Sequence, residues 1–144
     1  MIALGSDSRG FALKEKIKEY LDKNGEVYVD FGPFNNKPSD YPVYARLVAG
    51  AIVSGDSERG IVICGSGIGV SIAANRFRGV RAALCRTAED ARMTRLHNDA
   101  NVLALSADNT DEAAALEIIE TFLATPFSDE ERHARRVRML DEEV

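Results

Sequence analysis

A thiol and a hydroxyl flank the first glycine of a short glycine-rich segment near the middle of the chain. The apolar residues 61–63 lead into Cys64 and Ser66, and glycines stand at positions 65, 67 and 69. A β-branched run that breaks into glycines and then into a further apolar segment predicts a buried strand, a tight loop and a helix. Such a loop turns backbone N–H groups toward one point at the positive end of a helix, which suits an oxyanion. The segment therefore places a candidate base and a candidate proton carrier beside an oxyanion site.

Each part of this segment also has a purely structural interpretation. Most cysteines that end a buried strand are small core residues, and alternating glycines by themselves suit a tight strand-to-helix turn. The glycines lack the spacing of a dinucleotide-binding fingerprint and the lysine of a Walker loop, which disfavours nucleotide binding. Cys85 lies deep in an apolar run without a polar pattern around it, so we interpret it as a packing residue.

The length and composition predict one globular domain, residues 1–144, that works in the cytoplasm. The net charge of −5 argues against general binding to nucleic acid or to acidic membranes. The sequence has no apolar run near the length of a membrane span, and it begins without a charged leader. Its two cysteines lack the spacing of a disulfide framework or a zinc site.

Apolar periodicity predicts alternating strands and helices on both sides of the glycine loop. Patterns typical of strands cover residues 1–6, 27–31, 61–64, 80–85 and 101–105. Helical patterns cover the segment after the loop and residues 11–21, 41–54, 87–96, 110–123 and 128–143, and Thr87 with Asp90 is typical of a reciprocal helix cap. The alternation predicts an α/β fold: a three-layer αβα, Rossmann-like sandwich with a five-stranded parallel sheet and an additional C-terminal helix.

Sheets of this kind bind ligands at the carboxyl ends of their strands, near the switch in strand order. This rule selects the loops after the first and third strands and the ends of later strands, and two further segments are able to fold over the same edge. The candidate residues are Asp7, Ser8 and Arg9, the glycine loop, Arg86, Ser106, Tyr41, His97 and Asn98.

Short motifs follow one another in a fixed order over nearly the whole chain. They are Gly5-Ser6-Asp7, Asp40-Tyr41-Pro42, residues 60–75, residues 79–82, residues 97–101, and Arg132-His133 with Arg136. With these motifs the sequence resembles the family of type B ribose-5-phosphate isomerases and galactose-6-phosphate isomerase subunits. The resemblance implies interconversion of an aldose phosphate and a ketose phosphate, with ribose 5-phosphate and ribulose 5-phosphate as the first candidates. It also implies that no metal and no organic cofactor take part.

The chemistry implied by the resemblance is proton transfer between C1 and C2 through an enediolate. This chemistry needs a base at carbon, groups that stabilise an oxyanion, and an acid that opens the sugar ring. By the resemblance Cys64 is the base, with its thiolate favoured by the donors of the loop, and Ser66 moves a proton between O1 and O2. The ring-opening residue is His97, which reaches the loop from a neighbouring subunit. The resemblance therefore implies a homodimer or homotetramer with an active site shared between subunits.

The resemblance also implies which residues bind the sugar phosphate. Backbone N–H groups of the loop would hold the developing negative charge, those of Gly65, Gly67, Ile68, Gly69 and Val70. Asp7 and Tyr41 would hold sugar hydroxyls or assist ring opening, and Asn98 would donate to the substrate. Arg132 and Arg136 lie about one helical turn apart, so that two charged donors are able to face one phosphate.

Several of these residues have simpler explanations. His97 also suits the C-terminus of a helix, where a positive charge is favourable. His133 suits a packing or interface position better than a catalytic one. The basic run over residues 132–138 is also typical of a solvated helix face paired with nearby acids.

The sequence departs from the family pattern at the expected phosphate end. Ser8 stands where the family usually has histidine, Asp108 takes the place of an arginine, and Glu130-Glu131 replace two glycines. Arg9 is a candidate replacement for the missing positive charge. These departures leave open a four- or six-carbon sugar phosphate, such as erythrulose 4-phosphate or galactose 6-phosphate, and a sugar-phosphate-binding module without catalysis.

Overall fold

Parallel strands form the centre of the molecule. In this computed structural model, which describes residues 1–143, the strands are β1 (Ile2–Ser6), β2 (Tyr28–Asp30), β3 (Arg59–Cys64), β4 (Ala82–Leu84) and β5 (Val102–Ser106). They pair in parallel in the order β2-β1-β3-β5-β4, so β5 lies between β3 and β4 although it follows both in the sequence. The apolar character of β1, β3 and β5 suits strands that are covered on both faces.

Helices cover the two faces of this sheet. They are α1 (Phe11–Lys23), α2 (Tyr41–Ser54), α3 (Ile68–Ala74), α4 (Ala88–Asn98), α5 (Glu112–Ala124) and α6 (Glu131–Met139). Buried side chains of α1, α4 and α5 pack on one face, those of α2 and α3 pack on the other, and α6 packs against α4. This architecture confirms the predicted three-layer sandwich with an additional C-terminal helix. Across residues 1–143, every helix is too short or too polar to cross a lipid bilayer.

The side chains of β3 alternate between two hydrophobic cores. Ile61 and Ile63 belong to the core under α1, α4 and α5, whereas Val62 and Cys64 belong to the core under α2 and α3. The alternation follows from the period of two residues in a strand. It places the Cys64 thiol at the carboxyl end of β3, on the side of the sheet where α3 begins.

Two predicted elements are shorter in the structure by three residues or more. The strand predicted over residues 80–85 contracts to Ala82–Leu84, which forms an edge of the sheet and pairs with β5. The helix predicted over residues 128–143 is confined to Glu131–Met139. Asp129, with φ of 57°, takes a left-handed conformation through which a helix does not continue.

Helix α4 is longer than predicted and is capped nearly as predicted. Oγ1 of Thr87 accepts the N–H of Asp90 at 3.0 Å. The Asp90 carboxylate accepts the N–H of Arg86 at 3.1 Å instead of that of Thr87, so the reciprocal bond of the cap reaches one residue further back. The helix extends past the predicted end at residue 96 to Asn98, and His97 therefore lies in its last turn.

A buried lysine ties α1 to the carboxyl end of β2. Lys14 is 0% exposed, and its Nζ donates to Oδ1 of Asp30 at 2.6 Å and to the carbonyl of Pro33 at 2.7 Å. Nζ of Lys18 donates to the same carboxylate at 2.9 Å. Burial by itself raises the pKa of Asp30, but the hydrogen bonds from the two lysines outweigh burial and hold this pKa below its usual value.

A buried arginine holds the end of α4 in place. Arg95 is 2% exposed, and its NH1 group donates to Oδ1 of Asp99 at 2.9 Å and to the carbonyl of Ala100 at 2.7 Å. Its Nε donates to the carbonyl of Thr125, just after α5, at 3.0 Å. These bonds fix the last turn of α4, which carries His97, against the end of α5.

Candidate active site

The glycines after β3 allow a tight turn and the close approach of other side chains. Gly67 precedes α3 in a left-handed conformation with φ of 76°, and a Cβ there would lie 2.5 Å from Cδ1 of Leu84. A Cβ on Gly69 would lie 2.9 Å from the ring of Tyr41. Gly67 is therefore needed for the turn, and Gly69 for the aromatic ring that covers the loop.

Cys64 and Ser66 direct their side chains back onto the loop. Sγ of Cys64, a residue that is 5% exposed, accepts the N–H of Gly67 at 3.2 Å. Oγ of Ser66 accepts the N–H of Ile68 at 3.1 Å. Donation to the sulfur stabilises a thiolate. Because the serine oxygen is the acceptor, the hydroxyl proton remains available to another group.

The end of β5 holds the glycine loop in place. Oγ of Ser106 donates to the carbonyl of Gly65 at 2.7 Å, and the N–H of Asp108 donates to the same carbonyl at 3.0 Å. The N–H of Ala107 donates to the carbonyl of Cys64 at 2.9 Å. The sequence marks Ser106 only as a polar residue at the end of an apolar strand, and its part in fixing the loop becomes visible in the fold.

A cavity of about 230 Å³ opens beside the cysteine. We call it the thiol cavity. It brings together predicted residues from the end of β1, the glycine loop and α2, and it adds Asp108, which takes the place of an arginine in the family pattern. The lining residues are Asp7, Arg9, Tyr41, Cys64, Gly65, Ser66, Gly69 and Asp108. Ser8, a predicted binding residue, is partly exposed and stands outside this lining.

The charged groups of the thiol cavity have hydrogen-bond partners within the chain. Asp7 is 8% exposed, and its Oδ1 accepts the N–H of Gly10 at 2.9 Å. The NH2 group of Arg9 donates to Oδ2 of Asp108 at 2.6 Å. A Cβ on Gly65 would lie 2.9 Å from both Nε of Arg9 and Oδ2 of Asp108, so the ion pair rests directly on the loop. Arg9, the expected replacement for the missing positive charge, is therefore engaged by a carboxylate.

A second cavity, of about 280 Å³, lies between α4 and α6. We call it the imidazole cavity. Its lining residues are His97, Asn98, His133, Arg136, Val137 and Leu140. Among residues 1–143 none lines both cavities. The predicted site residues of one chain are therefore divided between two separate cavities.

Two histidines meet in the imidazole cavity. The ring centres of His97 and His133 lie 4.4 Å apart, and Nδ1 of His133 lies 2.8 Å from Oγ of Ser128. Burial lowers the pKa of His133, and the positive charges of His97 and Arg132 lower it further. His133 is 6% exposed, as suits the packing position inferred for it.

The two predicted phosphate-binding arginines have different surroundings. Arg136 lines the imidazole cavity. Nε of Arg132 donates to Oε2 of Glu130 at 3.1 Å, and its side chain is 63% exposed. Of these two arginines, Arg136 lines the cavity that holds His97, and Arg132 is outside the lining of that cavity.

Cys85 contrasts with the cysteine of the loop. It is 1% exposed, and burial, with a contribution from Asp90, raises the pKa of its thiol to about 12. A thiol in this environment is inert, as its interpretation as a packing residue requires. Among residues 1–143, no three His, Cys, Asp or Glu side chains converge on a point that suits a metal ion.

A comparison with models of protein families identifies the family of this chain. The model of the family described as Ribose/Galactose Isomerase matches residues 2–140. The chain belongs to this family. The match spans both cavities and the whole parallel sheet, and it confirms the resemblance seen in the sequence motifs.

Members of the Ribose/Galactose Isomerase family match the chain over nearly its full length. Ribose-5-phosphate isomerase B of Escherichia coli (strain K12) is 40% identical over 139 residues, which cover 96% of this chain and 93% of that protein. A ribose 5-phosphate isomerase of Thermotoga maritima has a crystal structure with a TM-score of 0.96 at 46% identity, covering 99% of this chain and 97% of that one. The type B ribose 5-phosphate isomerase of Trypanosoma brucei has a TM-score of 0.93 at 46% identity, covering 97% and 95%.

This member of the Ribose/Galactose Isomerase family carries its sequence departures at two places. Asp108 lies in the thiol cavity, and Ser8 lies next to Arg9 at its rim. Glu130 is the residue before α6, where its backbone carbonyl accepts the N–H of His133 at 2.9 Å. The first place bears on substrate binding, and the second bears on how the last helix starts.

Proposed function

We propose that this family member interconverts an aldose phosphate and the corresponding ketose phosphate, with ribose 5-phosphate and ribulose 5-phosphate as the first candidates. The observation that carries the proposal is the thiol cavity. In it a nearly buried cysteine, hydrogen-bonded through its sulfur to the loop, stands next to a serine hydroxyl, an aspartate and a tyrosine. The relatives named ribose-5-phosphate isomerase B support the choice of substrate class.

The groups of the thiol cavity match each step of the isomerisation. The Cys64 thiolate removes the proton from C2 of the open-chain aldose, which leaves an enediolate with negative charge on O1. Ser66 donates its proton to O1 and takes the proton of the O2 hydroxyl. The Cys64 thiol then returns its proton to C1, so the product is a ketone at C2 and no atom is gained or lost.

Backbone donors supply the stabilisation of the enediolate. The N–H groups of Gly67 and Ile68 are engaged by the side chains of Cys64 and Ser66. The next N–H groups, in the first turn of α3, have no partner inside the helix because every helix leaves its first donors unpaired. Fixed dipoles of this kind, aimed at a developing negative charge, provide a large part of the rate enhancement in many enzymes.

We propose further that the active site forms between two subunits of a homodimer or a homotetramer. Ring opening needs an acid or base, and His97 lies in the imidazole cavity with Asn98 and Arg136, apart from the thiol. The imidazole cavity of one subunit would complete the thiol cavity of the next. Large exposed apolar side chains support an assembly: Ile68 and Ile72 on α3, and Met139 and Leu140 at the end of α6, are 48%, 58%, 55% and 63% exposed.

The phosphate is assigned to the imidazole cavity and its surroundings. Arg136 provides a guanidinium there, and Arg132, one turn earlier on α6, is exposed and able to exchange Glu130 for a phosphate oxygen. The enzyme is proposed to act without a metal or an organic cofactor. The free thiols Cys64 and Cys85 suit a reducing compartment, and we place the enzyme in the cytoplasm.

Asp108 favours a second candidate within the same reaction class. Its carboxylate in the thiol cavity changes the end of the site where the sequence departs from the family, and a four- or six-carbon sugar phosphate is the alternative substrate. The same carboxylate also supports a protein that binds a sugar phosphate without isomerising it.

An exchange experiment separates these functions. The protein is incubated in deuterated water and a metal chelator with a panel of four-, five- and six-carbon aldose and ketose phosphates, and deuterium at C1 or C2 is followed by NMR. Isomerisation with deuterium uptake on ribose 5-phosphate is the expected result. Faster turnover on another chain length would reassign the substrate. Binding by calorimetry without any deuterium uptake would leave only the non-catalytic function.

A further inference from the structure

The ion pair between Arg9 and Asp108 closes one side of the thiol cavity. It links the loop after β1 to the loop after β5, and its two charged atoms lie 2.6 Å apart. Both side chains lie so close to Gly65, next to the proposed catalytic cysteine, that a Cβ added there would be 2.9 Å from each of them. The side chains are 67% and 44% exposed, so the pair stands at the mouth of the cavity, where a substrate passes or remains.

The two cavities differ in formal charge. Two carboxylates, of Asp7 and Asp108, and one guanidinium, of Arg9, line the thiol cavity, which gives a formal charge of −1. The imidazole cavity is lined by the guanidinium of Arg136 and, among residues 1–143, by no carboxylate. A phosphate dianion is therefore attracted to the second cavity and repelled from the first.

We propose that Asp108 determines substrate specificity by engaging Arg9, so that the mouth of the thiol cavity binds an uncharged, hydroxyl-bearing carbon and rejects phosphate. This inference rests on the proposed function and assigns the orientation of the substrate in it. The sugar hydroxyls face the pair, and the phosphate extends toward the arginines of the neighbouring subunit.

The chemistry of the pair fits a hydroxyl group. Arg9 has five N–H donors and uses one of them on Asp108, and the carboxylate keeps free lone pairs. Together they offer a donor and an acceptor side by side, which is what a hydroxyl needs. The dianion of a sugar phosphate offers only acceptors, would compete with Asp108 for the same N–H group, and would lie close to a like charge.

Phosphate binding tests the role of Asp108 without requiring turnover. The test uses inorganic phosphate, titrated by calorimetry at low salt into proteins that carry Arg136→Gln, so that the imidazole cavity contributes little. We expect Asp108→Asn to tighten phosphate binding about five- to tenfold, because one negative charge near the ligand is removed and Arg9 is released. Adding Arg9→Gln to Asp108→Asn is expected to abolish the gain.

A surface charge elsewhere provides the matched control. Glu19 pairs with Lys16 on α1 at 3.7 Å, and the two side chains are 51% exposed for the lysine and 62% exposed for the glutamate. Glu19→Gln removes the same unit of charge and frees a cation away from both cavities, and it should leave phosphate binding unchanged. An Asp108→Asn protein that binds phosphate no more tightly than the Glu19→Gln protein would overturn the proposal.

Kinetics with the sugar phosphate give a second readout. In the background with Arg136 intact, Asp108→Asn is expected to change KM more than kcat, and to change the ratio of kcat/KM between five-carbon and four-carbon phosphates. Equal loss of kcat/KM on every sugar would mean that Asp108 only holds the loop, and the specificity role would be withdrawn. Absence of deuterium uptake by the unaltered protein on all sugars would instead refute the proposed isomerisation, a result that the phosphate titration does not depend on.

Discussion

The thiol cavity and the imidazole cavity are built by different means. The first is held by hydrogen bonds to backbone carbonyls, from the Ser106 hydroxyl and from backbone N–H groups, which join the end of β5 to the end of β3 and the glycine loop, and its cysteine is nearly buried. The second is formed by side chains on the last turn of α4 and on α6. The difference matches the work proposed for each. Proton transfer at carbon demands fixed geometry, whereas ring opening and phosphate binding are proposed to take place at a surface that a second subunit approaches.

Removal of the thiol is expected to have the largest effect. Cys64→Ala should lower kcat about 1,000-fold, because it removes the group proposed to take the carbon proton. Deuterium uptake at C2 should fall in parallel, while binding of the sugar phosphate, measured by calorimetry, persists. The control is Cys85→Ala, which should cost about 1 kcal/mol of stability and retain turnover. Undiminished isomerisation by the first variant would remove Cys64 from its role.

Mixed oligomers test whether the two cavities belong to different subunits. Cys64→Ala and His97→Asn proteins, each nearly inactive, are unfolded together and refolded as a mixture. If the site is shared in a dimer, half of the sites in each mixed dimer are intact, and activity should recover to about a quarter of that of the unaltered protein. Activity that stays at the level of the single variants would contradict an active site shared between subunits.

The buried ion pair of Lys14 and Asp30 sets an expected pH response. Asp30→Asn should lower the free energy of unfolding by about 3 kcal/mol at neutral pH, because it leaves the buried Lys14 ammonium with only the more distant Glu15 carboxylate, at 3.8 Å, as a charged partner. Since the pKa of Asp30 is lowered in the folded protein, its contribution is present above the unfolded-state pKa of about 3.9 and is lost as pH falls toward the folded-state value.

Urea unfolding at several pH values measures this response. The stability difference between the unaltered protein and Asp30→Asn should shrink as the pH is lowered below about 4. The exposed Asp56, in the turn after α2, provides the control, since Asp56→Asn should unfold like the unaltered protein. A constant difference down to acid pH would mean that the asparagine acts through packing instead of charge.

The smallest expected effect concerns the imidazole cavity. The chain has only 2 histidines, so NMR resolves both titrations. The pKa of His133 should lie below its usual value of about 6.5, because the ring is buried and faces His97 and Arg132. Protonation of this ring costs stability, which should decrease as pH falls below about 6.5. Replacement of Arg132 by Gln should raise the pKa of His133 slightly, because it removes one of the nearby positive charges. A His133 pKa at or above 6.5 in the unaltered protein would contradict the described burial.

The order and type of the elements could be predicted from the sequence, because strands buried on both faces and amphipathic helices leave strong periodic signals. The ends of the helices were harder to predict from the sequence. The C-terminal helix starts later than its charge pattern suggests because Asp129 adopts a left-handed conformation, and such a conformation at an aspartate has no periodic signature. The burial of Lys14 could not be predicted either. In the sequence it is a charged residue among apolar ones, which is typical of a helix surface, and only the fold shows that it is buried against Asp30.

The parts of the candidate site were predictable in different degrees. The glycine loop is contiguous in the sequence, so the spacing of its residues was enough to predict Cys64 and Ser66 as candidate site residues. The Arg9–Asp108 pair joins residues 99 positions apart, and no local pattern reveals such a contact. The sequence does mark Asp108 as unusual for the family and Arg9 as a candidate replacement for the missing positive charge, and the fold shows that the two side chains are in contact.

Strand β5 is synthesised after both of its neighbours. β3 has one partner, β1, until β5 inserts along its other edge, and β4 lies at the sheet margin and pairs with β5. A nascent chain that has emerged only through β4 therefore presents an open apolar strand edge, a geometry that favours pairing with other chains. At ordinary rates of translation this interval lasts about a few seconds. We expect the yield of native protein to depend on protection of that edge during synthesis.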